Sequence, residues 1–211
     1  MLKVRIALKT EDLDDQGRYR HMLTLPYSEI ASFVIDYIRR RTGLMIFFWA
    51  FCLVTFGLAM TIRINVGHVF EFRRIFHHTL LGLFVFPVLI IPLHEFLHVI
   101  PYFLTGAKRI RVGVDLKQFI FYVTAHKYVA SPRQFRLVAI CPFIIVTLGL
   151  LFLVLTLPGL WKWSISLLIF VHATMCAGDF AMLNYYHINR HRKIYSWDDA
   201  DRMEAYFYEE I

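Results

Sequence analysis

The amino-acid sequence predicts an all-α polytopic membrane protein with about four transmembrane helices and a small cytoplasmic β-hairpin between spans two and three. Apolar residues make up 58% of the 211-residue chain, and only 18% of its residues are charged. Ordinary soluble domains contain about 25% charged residues, so a soluble domain of this size would lack the polar residues that its surface requires. Several apolar runs also reach the roughly 20 residues that a helix needs to cross a bilayer.

Four apolar segments form the predicted membrane core, which covers residues 43–189. The first, Gly43–Ile62, has no charged residue and lacks the small-residue cleavage site of a signal peptide. The second, Thr79–Thr105, is apolar except for two histidines and one glutamate. The third, Leu137–Leu160, is uncharged, and the fourth, Trp163–Asn189, contains two histidines and one aspartate.

Basic residues divide unequally between the two sides of this core. Of the 23 Lys and Arg residues, 19 lie before the first span, between spans two and three, or after the fourth span. The positive-inside rule therefore predicts that both termini are cytoplasmic. Contact with anionic lipid then accounts for the formal net charge of +7, so the charge does not indicate nucleic-acid binding.

The segments outside the core are short, and both are predicted to be cytoplasmic. The N-terminal segment, 1–42, contains a strand-like stretch at Leu2–Leu8 and a short amphipathic helix at Ser28–Arg41 that leads into the first span. The tail, 190–211, is acidic. Ser196 precedes several aspartates, a pattern that predicts a capped helix in the tail.

The loop between the second and third spans has β character. Arg109–Val114 alternates polar or small residues with branched apolar ones, and Gln118–Tyr128 is rich in Phe, Tyr, Val and Thr. Two such runs on either side of a turn predict a β-hairpin at the cytoplasmic face. A plain amphipathic surface loop is the alternative. The edge of a hairpin could bind an extended peptide strand.

The three cysteines, Cys52, Cys141 and Cys176, all lie inside apolar runs. Their odd number argues against a disulfide scaffold. We therefore interpret them as small buried hydrophobic residues.

The second span contains His94-Glu-Phe-Leu-His98, the five-residue HExxH pattern. Residues i and i+4 share one face of a helix, so both imidazoles can reach one metal ion. The intervening Glu95 can then act as a general base. Ionisable groups inside a membrane span are costly and are usually functional. A buried, hydrogen-bonded polar cluster is the alternative interpretation.

The scarcity of carboxylates in the core points to a third ligand. Only two of the 16 acidic residues lie in the four spans, Glu95 and Asp179. A catalytic zinc usually has three protein ligands and one open position, and Asp179 is the carboxylate that remains for the third. Helical rise places His94, His98 and Asp179 at a similar depth, roughly 15–20 Å from the cytoplasmic basic residues. A role in helix packing or in an ion pathway is the alternative for Asp179.

His172 precedes Asp179 by seven residues in the same predicted helix and therefore lies on roughly the same face. It could stabilise an oxyanion, orient a metal ligand or bind the metal itself. A packed histidine with one hydrogen bond is the alternative.

The HExxH motif in one membrane helix, followed by Ala177-Gly-Asp179 in another, resembles the site-2 protease class of intramembrane zinc metalloproteases. The match is closer to the short bacterial membrane proteins grouped as putative zincin peptidases, and it covers roughly residues 78–190. In the larger proteases the aspartate belongs to a Leu-Asp-Gly motif with Asn and Pro. Here Gly178 precedes the aspartate and Phe180 follows it.

This resemblance implies a Zn2+ ion held by His94, His98 and Asp179. Glu95 would activate a zinc-bound water that attacks a peptide carbonyl. The implied protein is an integral protein of a bacterial cell membrane. Its expected partners are the lipid bilayer and a protein or peptide substrate, which can itself be membrane-bound, and nucleic acid is not among them.

Two other functions stay open at this point. The chain could be a non-catalytic membrane protein, either a pseudoprotease or a protein with a structural zinc site, that binds membrane partners. It could also be a metal or proton transporter, although such proteins often contain inverted repeats and this chain shows none. The sequence predicts no particular oligomeric state.

Overall fold

The computed structural model of the chain describes residues 8–115 and 120–211. Helices account for most of this part of the chain, and short connections join them. In chain order they are α1 (Ile30–Ile38), α2 (Gly43–Gly67), α3 (Phe72–Leu80), α4 (Phe86–Leu104), α5 (Pro132–Thr156), α6 (Leu160–Met175) and α7 (Ala177–Ile188). A π-helical segment, Leu81–Val85, joins α3 to α4, and short 3-10 helices lie at Thr10–Asp14 and Tyr27–Glu29.

Three helical segments are long and apolar enough to cross a membrane: α2, α5, and the continuous stretch Phe72–Leu104 that includes α4. The pair α6 and α7 passes the same test together, which gives four spans if the pair counts as one. This count agrees with the predicted helical core. The prediction of one continuous fourth helix is wrong, because the chain bends by 40° at Cys176. The seven-residue spacing of His172 and Asp179 therefore does not determine their relative orientation.

Large apolar side chains point outward along the long helices. Leu53 on α2, Leu89 and Phe96 on α4, and Leu148 on α5 are all more than half exposed. Soluble monomers rarely expose contiguous apolar surface on this scale, whereas a lipid-facing helix requires it. The outer surface of the helices is therefore compatible with a bilayer.

Close packing holds the start of α4 against α6. Gly82, in the π-helical segment, lies so near α6 that an added Cβ would be 2.6 Å from the carbonyl oxygen of Ser164 and 2.9 Å from Cβ of Leu167. Only glycine fits such an approach without displacement of the neighbouring backbone. This contact fixes the helix that carries the HExxH motif beside the helix that carries His172.

Strands in the described residues form two small antiparallel sheets. In chain order they are β1 (Tyr19–Pro26), β2 (Ile110–Asp115), β3 (Ile120–Ala125), β4 (Lys193–Asp199) and β5 (Glu204–Glu210). One sheet pairs β2 with β3 in the loop between α4 and α5, where the sequence predicts a hairpin. The other has the strand order β1-β5-β4 and joins the two ends of the chain, with Tyr19 opposite Glu210.

The three-stranded sheet corrects two predictions. The fold is a helical core with two small sheets rather than an all-α core with one hairpin. The predicted helix capped by Ser196 is wrong, because Ser196 lies in β4. Alternate residues of β5 are buried, and Glu209 pairs with Arg20 and Arg192. These long-range contacts outweigh the local capping pattern. Nearly all of the strand-like stretch Leu2–Leu8 lies outside the described residues.

The predicted amphipathic helix at Ser28–Arg41 is confirmed as α1, which packs against α7 and the three-stranded sheet. Phe33 of α1, Tyr185 of α7 and Phe207 of β5 belong to one buried cluster. The fully buried Asn184 of α7 adds polar contacts. Its Nδ2 donates to the carbonyl oxygen of Tyr37 (2.7 Å), and its Oδ1 accepts from the hydroxyl of Thr42 (2.6 Å). The chain entering α2 is therefore tied to the helix that carries Asp179.

Candidate metal centre

His94 and His98 lie on the buried face of α4. Buried residues recur every three or four positions along this helix, as expected for one inward-facing stripe. They are Pro87, Ile90, His94, Leu97, His98, Pro101 and Tyr102. The two imidazoles are only 7% and 8% exposed, so their nitrogens require partners inside the protein.

Asp179 supplies such a partner from α7. It lies in the first turn of this helix, where the helix dipole favours a negative charge. Its Oδ2 lies 3.3 Å from Nε2 of His94, and its Oδ1 lies 3.6 Å from Nε2 of His98. The structure thus brings together the three residues that the sequence predicts as ligands.

The chemistry and spacing of these atoms fit Zn2+. Two imidazole nitrogens and a carboxylate oxygen are common zinc ligands. Zinc–ligand bonds of about 2.0–2.2 Å in a tetrahedron separate neighbouring donor atoms by about 3.3–3.5 Å. The two nitrogen–oxygen distances at Asp179, each to a different oxygen of the carboxylate, are close to this range.

A backbone carbonyl orients His98 from its other side. Nδ1 of His98 lies 3.0 Å from the carbonyl oxygen of Val138 on α5. Because a carbonyl oxygen can only accept, this nitrogen carries the proton, and in the neutral ring Nε2 has a free lone pair towards Asp179. Histidine ligands of metals usually make such an outer hydrogen bond.

The carbonyl of Val138 is available because of the residue four positions later. In a regular helix the backbone N–H of that residue would donate to it. Here the residue is Pro142, which is fully buried inside α5 and has no N–H. α5 itself begins after Ser131, which forms a capping box with Gln134. The proline therefore leaves an unpaired carbonyl at the position where His98 needs an acceptor.

His172 contacts the outer nitrogen of His94 rather than the carboxylate. It is fully buried on α6, and its Nε2 lies 3.2 Å from Nδ1 of His94. If Nε2 of His94 faces a metal, its Nδ1 must donate and His172 must accept. Of the three roles that the sequence leaves open for His172, this arrangement favours the orientation of a ligand.

Glu95 follows His94 on α4 and is half-buried. One of its carboxylate oxygens and one nitrogen each from His94 and His98 lie within 4.8 Å of one another. The carboxylate is therefore close enough to exchange a proton with a molecule held beside these histidines.

Cys176 also lies beside the site, although the sequence predicted no chemical role for it. It lies at the bend between α6 and α7, and its Sγ is 3.7 Å from Nε2 of His172. Its interpretation as a buried residue is confirmed, since it is fully buried. The spacing of His172 and Cys176, four residues along the same predicted span, could have indicated their contact.

A comparison with known protein families found a match, and it covers these residues. A family model described as "putative zincin peptidase" matches residues 87–192. The matched segment includes both histidines and the glutamate of the HExxH motif, together with His172, Cys176 and Asp179. No curated protein and no solved structure matches the chain.

Proposed function

This chain belongs to the family of putative zincin peptidases, and we propose that it is a zinc-dependent peptidase embedded in a membrane. The observation that carries the proposal is the convergence of His94, His98 and Asp179 from two separate helices. Both Nε2 atoms face the same carboxylate, and outer contacts hold both rings from the opposite side.

In this proposal the two histidines and Asp179 hold Zn2+. Bound zinc polarises a peptide carbonyl and makes water a stronger acid. Glu95 accepts a proton from the attacking water and later gives it to the leaving amine, the usual task of a general base in an HExxH motif. His172 orients His94 and does not contact the substrate.

Differences in exposure suggest how water and substrate approach. The side chain of Asp179 is 18% exposed, about twice as much as that of His94. Pro92 and Pro101 lie inside α4, where each removes one helix hydrogen bond. At membrane depth, unpaired backbone is tolerated where it lines a polar cavity. We propose that such a cavity opens on the Asp179 side of the cluster.

The proposed substrate is a protein or peptide, including membrane-bound ones. The sheet of β2 and β3 follows α4 after five residues, so its edge could hold an extended segment of substrate near the proposed site. We keep the predicted cytoplasmic position of this sheet and of both termini as part of the proposal.

A structural zinc site is the second candidate, favoured by the burial of the cluster. A metal held by His94, His98 and Asp179 would fasten α4 to α7, and this could be its whole function. In that case removal of zinc with a chelator would unfold the protein. In the catalytic case the apo-protein would keep its helical circular dichroism and lose only cleavage.

The substitution Glu95→Gln tests the catalytic proposal. Purified full-length protein is incubated in detergent with a mixture of single-span peptides, and mass spectrometry detects new termini. We expect the variant to keep zinc and to lose cleavage by about 100- to 10,000-fold, the usual contribution of a general base. The matched control is Glu71→Gln, which changes an exposed glutamate before α3. Full cleavage by Glu95→Gln would exclude the mechanism.

A further inference from the structure

A second group of metal-binding atoms lies on the other side of His94. The ring of His94 directs Nε2 towards Asp179 and Nδ1 towards His172. Nε2 of His172 lies between two donors, 3.2 Å from Nδ1 of His94 and 3.7 Å from Sγ of Cys176. One ligand atom from each of these three residues lies within 4.8 Å of the others.

These distances match the edges of a metal tetrahedron. Zinc–nitrogen bonds of about 2.0–2.1 Å and zinc–sulfur bonds of about 2.3 Å place two nitrogens about 3.3 Å apart and a nitrogen and a sulfur about 3.6 Å apart. The observed separations differ from these values by about 0.1 Å. A metal ion could therefore bind with little movement of the side chains.

The surroundings of the three residues leave these atoms available. His172 and Cys176 are fully buried, and His94 is nearly so. Within the described part of the chain, Nδ1 of His172 has no hydrogen-bond partner, and Nε2 contacts His94 and Cys176. A dry site with one thiolate and two imidazoles selects soft or borderline ions such as Zn2+, Co2+ or Cd2+ over Mg2+ and Ca2+.

We propose that His94, His172 and Cys176 form a second metal site, adjacent to the catalytic site and sharing His94 with it. The metal ion replaces the proton that otherwise lies between Nδ1 of His94 and Nε2 of His172. Cysteine binds metals as the thiolate, so the thiol proton of Cys176 is released as well. The second site does not depend on peptidase activity, although its effect on cleavage rests on the proposed function.

Because both sites use the ring of His94, we expect the second ion to bind more weakly than the first and to inhibit cleavage. A neutral imidazole has one N–H proton and one free lone pair. His94 can therefore bind two metals only after it loses that proton. Filling both sites therefore releases two protons, one from His94 and one from Cys176. The second ion also removes the hydrogen bond that orients His94. We expect the first equivalent of metal to support cleavage and the second to suppress it.

Titration of the purified full-length apo-protein with Co2+ tests this proposal. Cobalt bound to a thiolate shows a sulfur-to-metal charge-transfer band in the near ultraviolet, which nitrogen and oxygen ligands do not give. We expect this band to develop with the second equivalent and to be lost in Cys176→Ser. Cys52→Ser and Cys141→Ser are matched controls that should keep it. Absence of the band in the wild type, or its persistence in Cys176→Ser, would overturn the proposal.

The variant His98→Ala separates the two sites. It removes a ligand of the catalytic site only, so the charge-transfer band should remain and develop with the first equivalent of Co2+. Loss of the band in a His98→Ala protein that keeps its helical circular dichroism would mean that the cysteine belongs to a single shared site, which would contradict a separate second site. A wild type that shows the band with the second equivalent of Co2+ but cleaves no peptide with the first would refute only the proposed function.

Discussion

Among the described residues, two clusters combine histidine with carboxylates, and they differ in the partners that their polar atoms already have. In the core, His94 and His98 face Asp179. In the second, which we call the loop cluster, His126 follows β3 and reaches the turn between β4 and β5, where its Nε2 lies 3.5 Å from Asp201 and its Nδ1 lies 3.9 Å from Asp199. By residue type alone, both clusters could hold a metal ion.

Backbone contacts distinguish the loop cluster from the core cluster. Nδ1 of His126 accepts the N–H of Ala200 at 3.1 Å. Oδ1 of Asp199 accepts the N–H groups of Asp201 and Arg202, at 3.0 and 3.3 Å. These atoms hold a turn, and the side chain of Asp201 is 70% exposed. In the core, the facing nitrogens of His94 and His98 and the oxygens of Asp179 form no hydrogen bond to the backbone of the described residues. A metal site is therefore indicated by ligand atoms that have no hydrogen-bond partner in the backbone, and not by residue types alone.

The largest expected difference between the clusters is in zinc affinity. With Cys176→Ser present so that Cys176 cannot bind metal, we expect His98→Ala to weaken zinc binding by more than about 100-fold, beyond the effect of losing an outer hydrogen bond. His126→Ala should leave it unchanged. Competition with a chromogenic chelator measures both. If His126→Ala weakened binding as much as His98→Ala, the distinction between the clusters would fail.

A pH effect on stability is expected near the loop cluster. Burial raises the pKa of Asp198 to about 6, and a hydrogen bond from the hydroxyl of Tyr27 partly opposes this. The folded protein therefore keeps this proton up to about pH 6, whereas an unfolded chain releases it near pH 4. The contribution of Asp198 to the free energy of unfolding consequently falls by up to about 2 kcal/mol as the pH rises from 4 to 6, and is constant above that.

Denaturant unfolding at several pH values checks this effect. Asp198→Asn cannot titrate, so relative to the wild type it should gain stability between pH 4 and 6. The control Asp36→Asn, at an exposed carboxylate of α1, should follow the wild type. Parallel curves for wild type and Asp198→Asn would refute the assignment.

Pro142→Ala tests whether the unpaired carbonyl of Val138 orients His98 for metal binding. The alanine restores an N–H that competes with His98 for the carbonyl of Val138, so zinc affinity should fall about 10-fold. Thermal stability of the apo-protein should not decrease, because alanine suits a helix interior better than proline. The control is Pro92→Ala in α4, where the carbonyl that regains a partner belongs to the exposed Val88. Equal zinc affinities in wild type and Pro142→Ala would exclude this role.

The smallest effect is expected at the turn of the loop cluster. Asp199→Asn keeps the side-chain oxygen but removes its charge, so each hydrogen bond to the backbone weakens. We expect a loss of about 1 kcal/mol in the free energy of unfolding, with zinc content unchanged. Denaturant unfolding and metal analysis of the same samples measure both quantities. A fall in zinc content would indicate that this cluster also binds metal.

The sequence predicted the parts of the site that depend on helical periodicity and on the scarcity of charge. His94 and His98 could be placed on one face because a helix repeats every 3.6 residues. Asp179 could be paired with them because few carboxylates lie in apolar segments. Both arguments need only local sequence and a bilayer of known thickness.

The structural features that the sequence did not predict depend on contacts between residues far apart in the chain. The three-stranded sheet pairs Tyr19 with Glu210, and no local pattern around Ser196 indicates such a partner. The bend at Cys176 lies inside an apolar run without proline, so the run predicted a straight helix. The contact between His98 and Val138 likewise depends on how α4 packs against α5.

Metal analysis of protein purified without added zinc tests the central claim most directly. The wild type should contain about one zinc per chain. His94→Ala and Asp179→Ala, which change different helices and are each combined with Cys176→Ser so that Cys176 cannot bind metal, should contain almost none while they keep the helical circular dichroism of the wild type. A folded Asp179→Ala, Cys176→Ser protein with a full equivalent of zinc, or a wild type without zinc, would contradict a shared metal centre between α4 and α7.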